Sequence, residues 1–253
     1  MTLDLSGRVA VVTGGSGELG RVMCRTLAAC GASVAVHYNR GRDRAEGVVN
    51  EIKSAGGTAQ AFQADITDQA QVNSLRDQVT AALGPATIVV NNAVAQYNWT
   101  SVLEQDPADY ESQFRSCVMQ NVLTAKAFVP GMVEAGGGRI IAINTECAMQ
   151  NFPGQSAYVS GKRGMDGVLR VLAKEIGKHQ ITVNQVAPGW TLSDKLRDGS
   201  NQAHAEYGAK VPLGRVGTDQ EIANVVAFLA SDLASYITGA YVPVCGGNVM
   251  PTI

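Results

Sequence analysis

Short apolar runs rich in β-branched residues recur along the chain, separated by longer stretches with helical spacing. Residues 8–13 (Arg-Val-Ala-Val-Val-Thr) are the first such run and lead into glycines, the pattern of a buried strand entering a tight turn. Helical spacing follows from about 18 to 30. Further strands are predicted at 33–37, 58–63, 87–91, 139–144, 181–187 and 240–244. Further helices are predicted at 42–54, near 68–82, and at 107–135, 157–179 and 219–231. This alternation predicts one α/β domain over residues 1–253, with a doubly wound, mostly parallel seven-stranded sheet flanked by helices on both faces. No linker, repeat or low-complexity segment divides it. Residues 190–212 are the least patterned and most polar stretch. They follow a strand, where α/β folds carry ligand loops, and are predicted to form the substrate loop.

Composition narrows the function classes. The chain has 253 residues, 45% of them hydrophobic, enough for a full core, and its net charge of −2 leaves no basic footprint for nucleic acid. No apolar run approaches the ~18 residues of a membrane span, and the first residues lack a charged and then apolar leader. The five cysteines (Cys24, Cys30, Cys117, Cys147, Cys245) are scattered and form no Cys-x-x-Cys. This suits reduced thiols in a cytoplasmic protein. The three histidines (His37, His179, His204) are far apart, so no metal site is expected.

The first strand opens into Thr13-Gly14-Gly15-Ser16-Gly17-Glu18-Leu19-Gly20, directly before a helix. In that context a G-x-G-x-x-G pattern reads as a dinucleotide-binding turn: glycines let the backbone approach a pyrophosphate, and the helix N-terminus attracts its charge. The alternative is a merely tight turn. After the second strand, an NAD site usually places an acid on the ribose diol. Here the residues are Tyr38-Asn39-Arg40-Gly41-Arg42, with no acid before Asp43. Arg40 or Arg42 suits a 2′-phosphate, so NADP(H) is the preferred cofactor and NAD(H) the alternative.

Tyr158 and Lys162 are four residues apart, on one face of the predicted helix, and Thr145 precedes them. A neighbouring ammonium favours the phenolate and should lower the phenol's pKa, which would fit Tyr158 for acid–base work on a carbonyl/alcohol pair. A threonine hydroxyl can hold the reacting oxygen.

With the glycine turn, Asp65-Ile66, Asn91-Asn92-Ala93, Asn121, Tyr158-x-x-x-Lys162 and Asn184 with Pro188-Gly189, the chain resembles the classical short-chain dehydrogenase/reductase family over nearly its whole length. Pro212-Leu213-Gly214-Arg215 and Ser235-Tyr236-Ile237-Thr238-Gly239 are similar to its 3-oxoacyl-carrier-protein reductase-like branch. The resemblance implies a Rossmann fold and hydride transfer between NADP(H) or NAD(H) and a carbonyl or secondary alcohol. Tyr158 would be the general acid/base, Lys162 would tune it and bind the nicotinamide ribose, and Thr145 would hold the substrate oxygen. Asn121 would hold a relay water. Asp65 and Ile66 would contact adenine, and Asn91 and Ala93 would support sheet and ribose. Pro188, Gly189 and Thr191 would border the carboxamide. Gly14, Ser16, Gly17, Leu19 and Gly20 would cradle the pyrophosphate, with Asn39 and Arg40 beyond them. Members commonly assemble as homotetramers or dimers. Gly161, Gly164, Gly167 and Ala173 would permit close helix packing between subunits or within one chain.

The chain departs from the family at several positions. Glu18 stands where the T-G-x-x-x-G-x-G turn has its middle glycine, although T-G-x-x-G-x-x-G is intact through Gly17. A solvent-facing Glu18 avoids repulsion by a pyrophosphate. Val94 follows Asn91-Asn92-Ala93 where a glycine is usual, so its backbone is either ordinary or strained. Ser193 ends the Pro-Gly-x-x-x-Thr pattern, and Cys245 replaces a late aspartate. Cys147 has no basic neighbour in sequence and reads as a spectator. These departures motivate a second reading, a catalytically silent nucleotide-binding or scaffold protein. The substrate would be a small carbonyl or alcohol. Gln96, Tyr97, Asn98, Trp99, Gln150, Asn151, Phe152, Trp190 and Tyr207 suit a sugar, polyol or polar keto compound at least as well as an acyl chain.

Overall fold

The computed structural model describes residues 3–192 and 202–251. The predicted strands become β1 (Val9–Val12), β2 (Ser33–Tyr38), β3 (Thr58–Gln63), β4 (Ile88–Asn91), β5 (Gly138–Ile143), β6 (Ile181–Pro188) and a last strand at Tyr241–Val244. Between them lie α1 (Glu18–Ala29), α2 (Arg42–Ser54), α3 (Gln69–Leu83), α4 (Pro107–Gln113), α5 (Gln120–Glu134), a one-turn α6 (Cys147–Gln150) and α7 (Ser156–Ile176). Two very short strands, β7 (Thr191–Leu192) and β8 (Gly217–Thr218), pair with each other, and α8 (Gln202–Gly208) lies between them in the chain. Then come α9 (Asp219–Ala230) and the last strand, β9. Two-residue strands carry no readable period, so the 191/217 pairing was not predicted.

The seven long strands form one sheet in the order β3-β2-β1-β4-β5-β6-β9, every adjacent pair parallel. The chain winds outward from β1 in one direction and from β4 in the other. The β1/β4 boundary is therefore the switch point, where helices on opposite faces leave a crevice at the strands' carboxyl ends. Alternation along each strand feeds two cores. Val12, Val34 and Ile141 pack with Met23, Leu27 and Ile222 on one face, and Val11, Val89 and Ile140 with Leu75, Phe128 and Leu169 on the other. The start of α9 is fixed by a capping box, Thr218 with Glu221.

The predicted helix at 107–135 is interrupted by a π-helical turn at Phe114–Met119. Its polar side chains compete with the helical ladder: Ser116 Oγ, Gln120 Nε2 and Asn121 Nδ2 each donate to the carbonyl four residues back. On α7, a Cβ at Gly161 would lie 2.9 Å from the Gln113 carbonyl oxygen, and one at Gly164 would lie 3.0 Å from Val118. These two glycines are used for packing within the chain.

Candidate active site

The first turn is stitched to the loop after β4. Thr13 Oγ1 donates to Gln120 (2.6 Å) and accepts from the amides of Asn92 (2.9 Å) and Ala93 (3.1 Å). Asn92 Nδ2 returns bonds to the carbonyls of Thr13 and Gly14. Gly14 has φ +62°, and a Cβ at Gly20 would lie 2.1 Å from the Gly14 carbonyl oxygen. Glycine is therefore required at both positions. His37, at the end of β2, accepts from the Gly14 amide through Nδ1 (3.0 Å) and contacts the Ala64 carbonyl through Nε2 (3.0 Å). Those partners require the neutral imidazole with its proton on Nε2. Burial pushes its pKa down to about 4. Sequence reasoning read His37 as structural or surface. Its position two residues before Asn39 was the only signal that it supports the turn.

Around this turn runs a cleft of about 840 Å³. Gly14, Ser16, Gly17, Leu19, Asn39, Arg40, Asp65, Ile66, Ala93, Thr145, Tyr158, Lys162, Pro188, Gly189 and Thr191 all line it. Gly20, Asn91 and Asn121 do not line it. The turn's glycine-only cradle, the helix N-terminus and the exposed Arg40 at one end fit an elongated anionic dinucleotide. Asp65 Oδ1 accepts from the amide and hydroxyl of Thr67, which shapes the loop at that end. Arg42 is turned to Glu46 instead (3.8 Å) and does not line the cleft. Glu18 does line the cleft but is paired with Arg21 at 3.1 Å, so its charge is offset there. Val94 has no left-handed backbone, so the unstrained alternative holds, and it stands where the cleft meets a second cavity.

Tyr158 and Lys162 share one face of α7, as their spacing requires. Tyr158 is half-buried, covered by Trp99 at a centroid distance of 5.9 Å, and its amide donates to Tyr97 Oη (2.8 Å). The expected lowering of the phenol's pKa is not what the protein alone provides. Burial raises the pKa, and a hydrogen bond to the Thr145 side chain opposes that rise. Lys162 is itself pushed down by burial; its Nζ lies 5.6 Å from the ring centroid and donates to the Ile143 carbonyl (2.5 Å). The Asn121 side chain accepts from Asn91 Nδ2 (2.7 Å) and donates to the Cys117 carbonyl (2.6 Å).

The second cavity, about 680 Å³, opens from Thr145 and Tyr158 away from the nucleotide turn. Gln96, Tyr97, Trp99, Gln150, Phe152, Trp190 and Tyr207 line it as anticipated, whereas Asn98 and Asn151 do not. Ser193 and the polar residues 194–198 lie outside the described residues. Cys147 also lines the cavity, and burial pushes its thiol pKa up, which favours the unreactive protonated form. Glu146, Gln155, Lys210 and Asn248 were missed. Only Glu146, adjacent to Thr145, carried a signal. Among the described residues no cluster suited to a metal ion occurs, and no helix is long and apolar enough to cross a membrane.

The chain is similar to known proteins over nearly its whole length. A family model described as enoyl-(acyl carrier protein) reductase matches residues 16–248. The chain is 35% identical to the 3-oxoacyl-[acyl-carrier-protein] reductase FabG of Staphylococcus aureus over 251 residues, covering 95% of this chain and 98% of that one. A 7α-hydroxysteroid dehydrogenase complexed with NADH and 7-oxo glycochenodeoxycholic acid superposes with TM-score 0.91 at 31% identity, over 99% of this chain and 97% of that one. A blue fluorescent protein from a metagenomic library, in complex with NADPH, gives TM-score 0.89 at 34% identity, over 98% of this chain and 100% of that one.

Proposed function

The chain belongs to the short-chain dehydrogenase/reductase family, and we propose that it transfers hydride between NADP(H) and a carbonyl or secondary alcohol with Tyr158 as the general acid/base. One observation carries the reading: Thr145 and Tyr158 line both the nucleotide cleft and the second cavity, at their junction. A substrate carbonyl placed there is within reach of both hydroxyls. The nicotinamide supplies the hydride chemistry when bound.

The chain's own residues supply binding, orientation and a proton. Gly14, Ser16, Gly17 and Leu19 would hold the pyrophosphate, Asp65 and Ile66 the adenine, and Lys162, Pro188, Gly189 and Thr191 the nicotinamide end. Arg40 and Asn39 would take the 2′-phosphate, since no acid stands in their place. In reduction, Thr145 and Tyr158 donate hydrogen bonds to the carbonyl oxygen. The Tyr158 O–H bond then breaks as the new alcohol O–H forms. Burial favours the protonated phenol this direction requires. The nearby Lys162 ammonium offsets the phenolate charge left behind. In oxidation the same proton returns to Tyr158.

The test is a panel of carbonyls and alcohols with NADP(H) and NAD(H), read by nicotinamide absorbance, beside thermal shifts with each cofactor. Turnover that needs Tyr158 supports the reading. No stabilisation by either cofactor at millimolar concentration would sink it.

A further inference from the structure

The cavity beyond Tyr158 contains a buried carboxylate that forms no ion pair among the described residues, although Lys210 lines the same cavity. Glu146 follows Thr145 directly, is only 4% exposed and lines the cavity. One carboxylate oxygen accepts from the Tyr207 phenol (2.6 Å) and the other from the Asn248 amide (3.1 Å). Among the described residues no lysine, arginine or histidine forms an ion pair with it. Burial raises its pKa accordingly. Two more residues with acceptors line the same space. The side-chain oxygens of Gln150 and Gln155 are buried with no hydrogen-bond partner, Gln155 being 9% exposed, and both residues line the cavity.

Buried acceptors left unpaired are costly, and a ligand bearing donors removes that cost. A saturated acyl chain has no donors and would leave the two glutamine oxygens unsatisfied and add nothing to the two hydrogen bonds that Glu146 already accepts. An anionic substrate would meet the Glu146 charge. Hydroxyl groups both donate and accept, which suits a carboxylate beside two amides. Tyr97, Trp99, Phe152 and Trp190 supply flat apolar walls for the carbon skeleton of such a molecule.

We infer that Glu146, Gln150 and Gln155 form a hydroxyl-recognising subsite, so that the substrate is a neutral polyol or hydroxy-ketone rather than an acyl thioester. This rests on the hydride-transfer reading above. Glu146 then determines specificity: its carboxylate bonds a hydroxyl on a carbon beyond the reacting one, and Tyr207 and Asn248 hold it in place.

The experiment compares erythrulose with butanone, the same carbon chain without hydroxyls, and with 1-amino-2-butanone. Each is measured by kcat/KM with NADPH and by thermal shift with NADP⁺ present. The wild type should favour erythrulose over butanone at least tenfold in kcat/KM. Glu146→Leu should lower that ratio about 10- to 100-fold, with Glu146→Gln intermediate. Gln155→Leu should also lower the ratio while leaving the melting temperature unchanged or higher, because the lost oxygen has no partner inside the protein. If Glu146→Leu fails to fold, Gln155→Leu carries the test. A ratio near one, preference for the amino-ketone, or a ratio unmoved by the substitutions overturns the subsite. Hydroxyl-dependent stabilisation without turnover supports the subsite and counts against hydride transfer instead.

Discussion

Lys162 Nζ donates to the Ile143 carbonyl at 2.5 Å and lies 5.6 Å from the centre of the Tyr158 ring. The ammonium is thus held beside the phenol without bonding its oxygen. Burial raises the phenol's pKa, against the lowering by the Thr145 side chain.

Tyr158→Phe is expected to reduce turnover by about 10²- to 10⁴-fold, the range of a lost general acid. Because the ring and its contact with Trp99 remain, the thermal shift with NADPH should persist. Stopped assays together with cofactor titration check both parts. Retained turnover would remove Tyr158 from the mechanism.

The pH profiles should differ between the two directions. Reduction uses the protonated phenol, whose pKa is raised by burial, so its kcat/KM should stay flat through neutral and mildly alkaline pH. Oxidation uses the phenolate, so its kcat/KM should climb with pH by up to about tenfold per unit. Paired pH–rate profiles test this.

His37 should impose an acid limit on stability. Its pKa falls from 6.5 to about 4 in the fold, so between those values the unfolded chain binds the proton that the folded chain refuses. Stability should therefore fall as pH drops from about 6.5 to 4, by roughly 3 kcal/mol in total. His37→Gln should flatten that part of the curve. Denaturant melts across the window measure it.

Gly20→Ala places a Cβ 2.1 Å from the Gly14 carbonyl oxygen. The turn would have to shift, at a cost of about 1–3 kcal/mol or more. A lower melting temperature and an NADPH Kd raised about tenfold or more are expected, by calorimetry and fluorescence titration.

Arg40→Ala should weaken NADPH about tenfold and NADH little, because only the former carries the phosphate that Arg40 would bond. Equal losses in Kd would point to NAD(H) instead.

Much of this molecule is legible along the chain because the signals are local. Two-residue and helical periods place the seven strands of the sheet and α1, α2, α3, α7 and α9 close to where they occur. The spacing of Tyr158 and Lys162 puts them on one face of α7 without further information. The glycine turn is likewise a local demand of backbone sterics at Gly14 and Gly20.

The remaining features depend on which loops the sheet's switch point brings together. Tyr207 reaches Glu146 across 61 residues of sequence, and the Tyr97 hydroxyl meets the Tyr158 amide across another 61. Trp99 covers Tyr158 from the loop after β4, and His37 bonds Gly14 from the neighbouring strand. No periodicity encodes these pairs. The sequence by itself determined the fold and placed Tyr158 and Lys162 on one helix face. Tertiary structure decided that Trp99 covers the half-buried phenol and that Lys162 bonds a carbonyl, and it brought the Glu146 carboxylate, held by Tyr207 and Asn248, to the second cavity. Burial, long-range hydrogen bonding and desolvation exist only once the chain is packed.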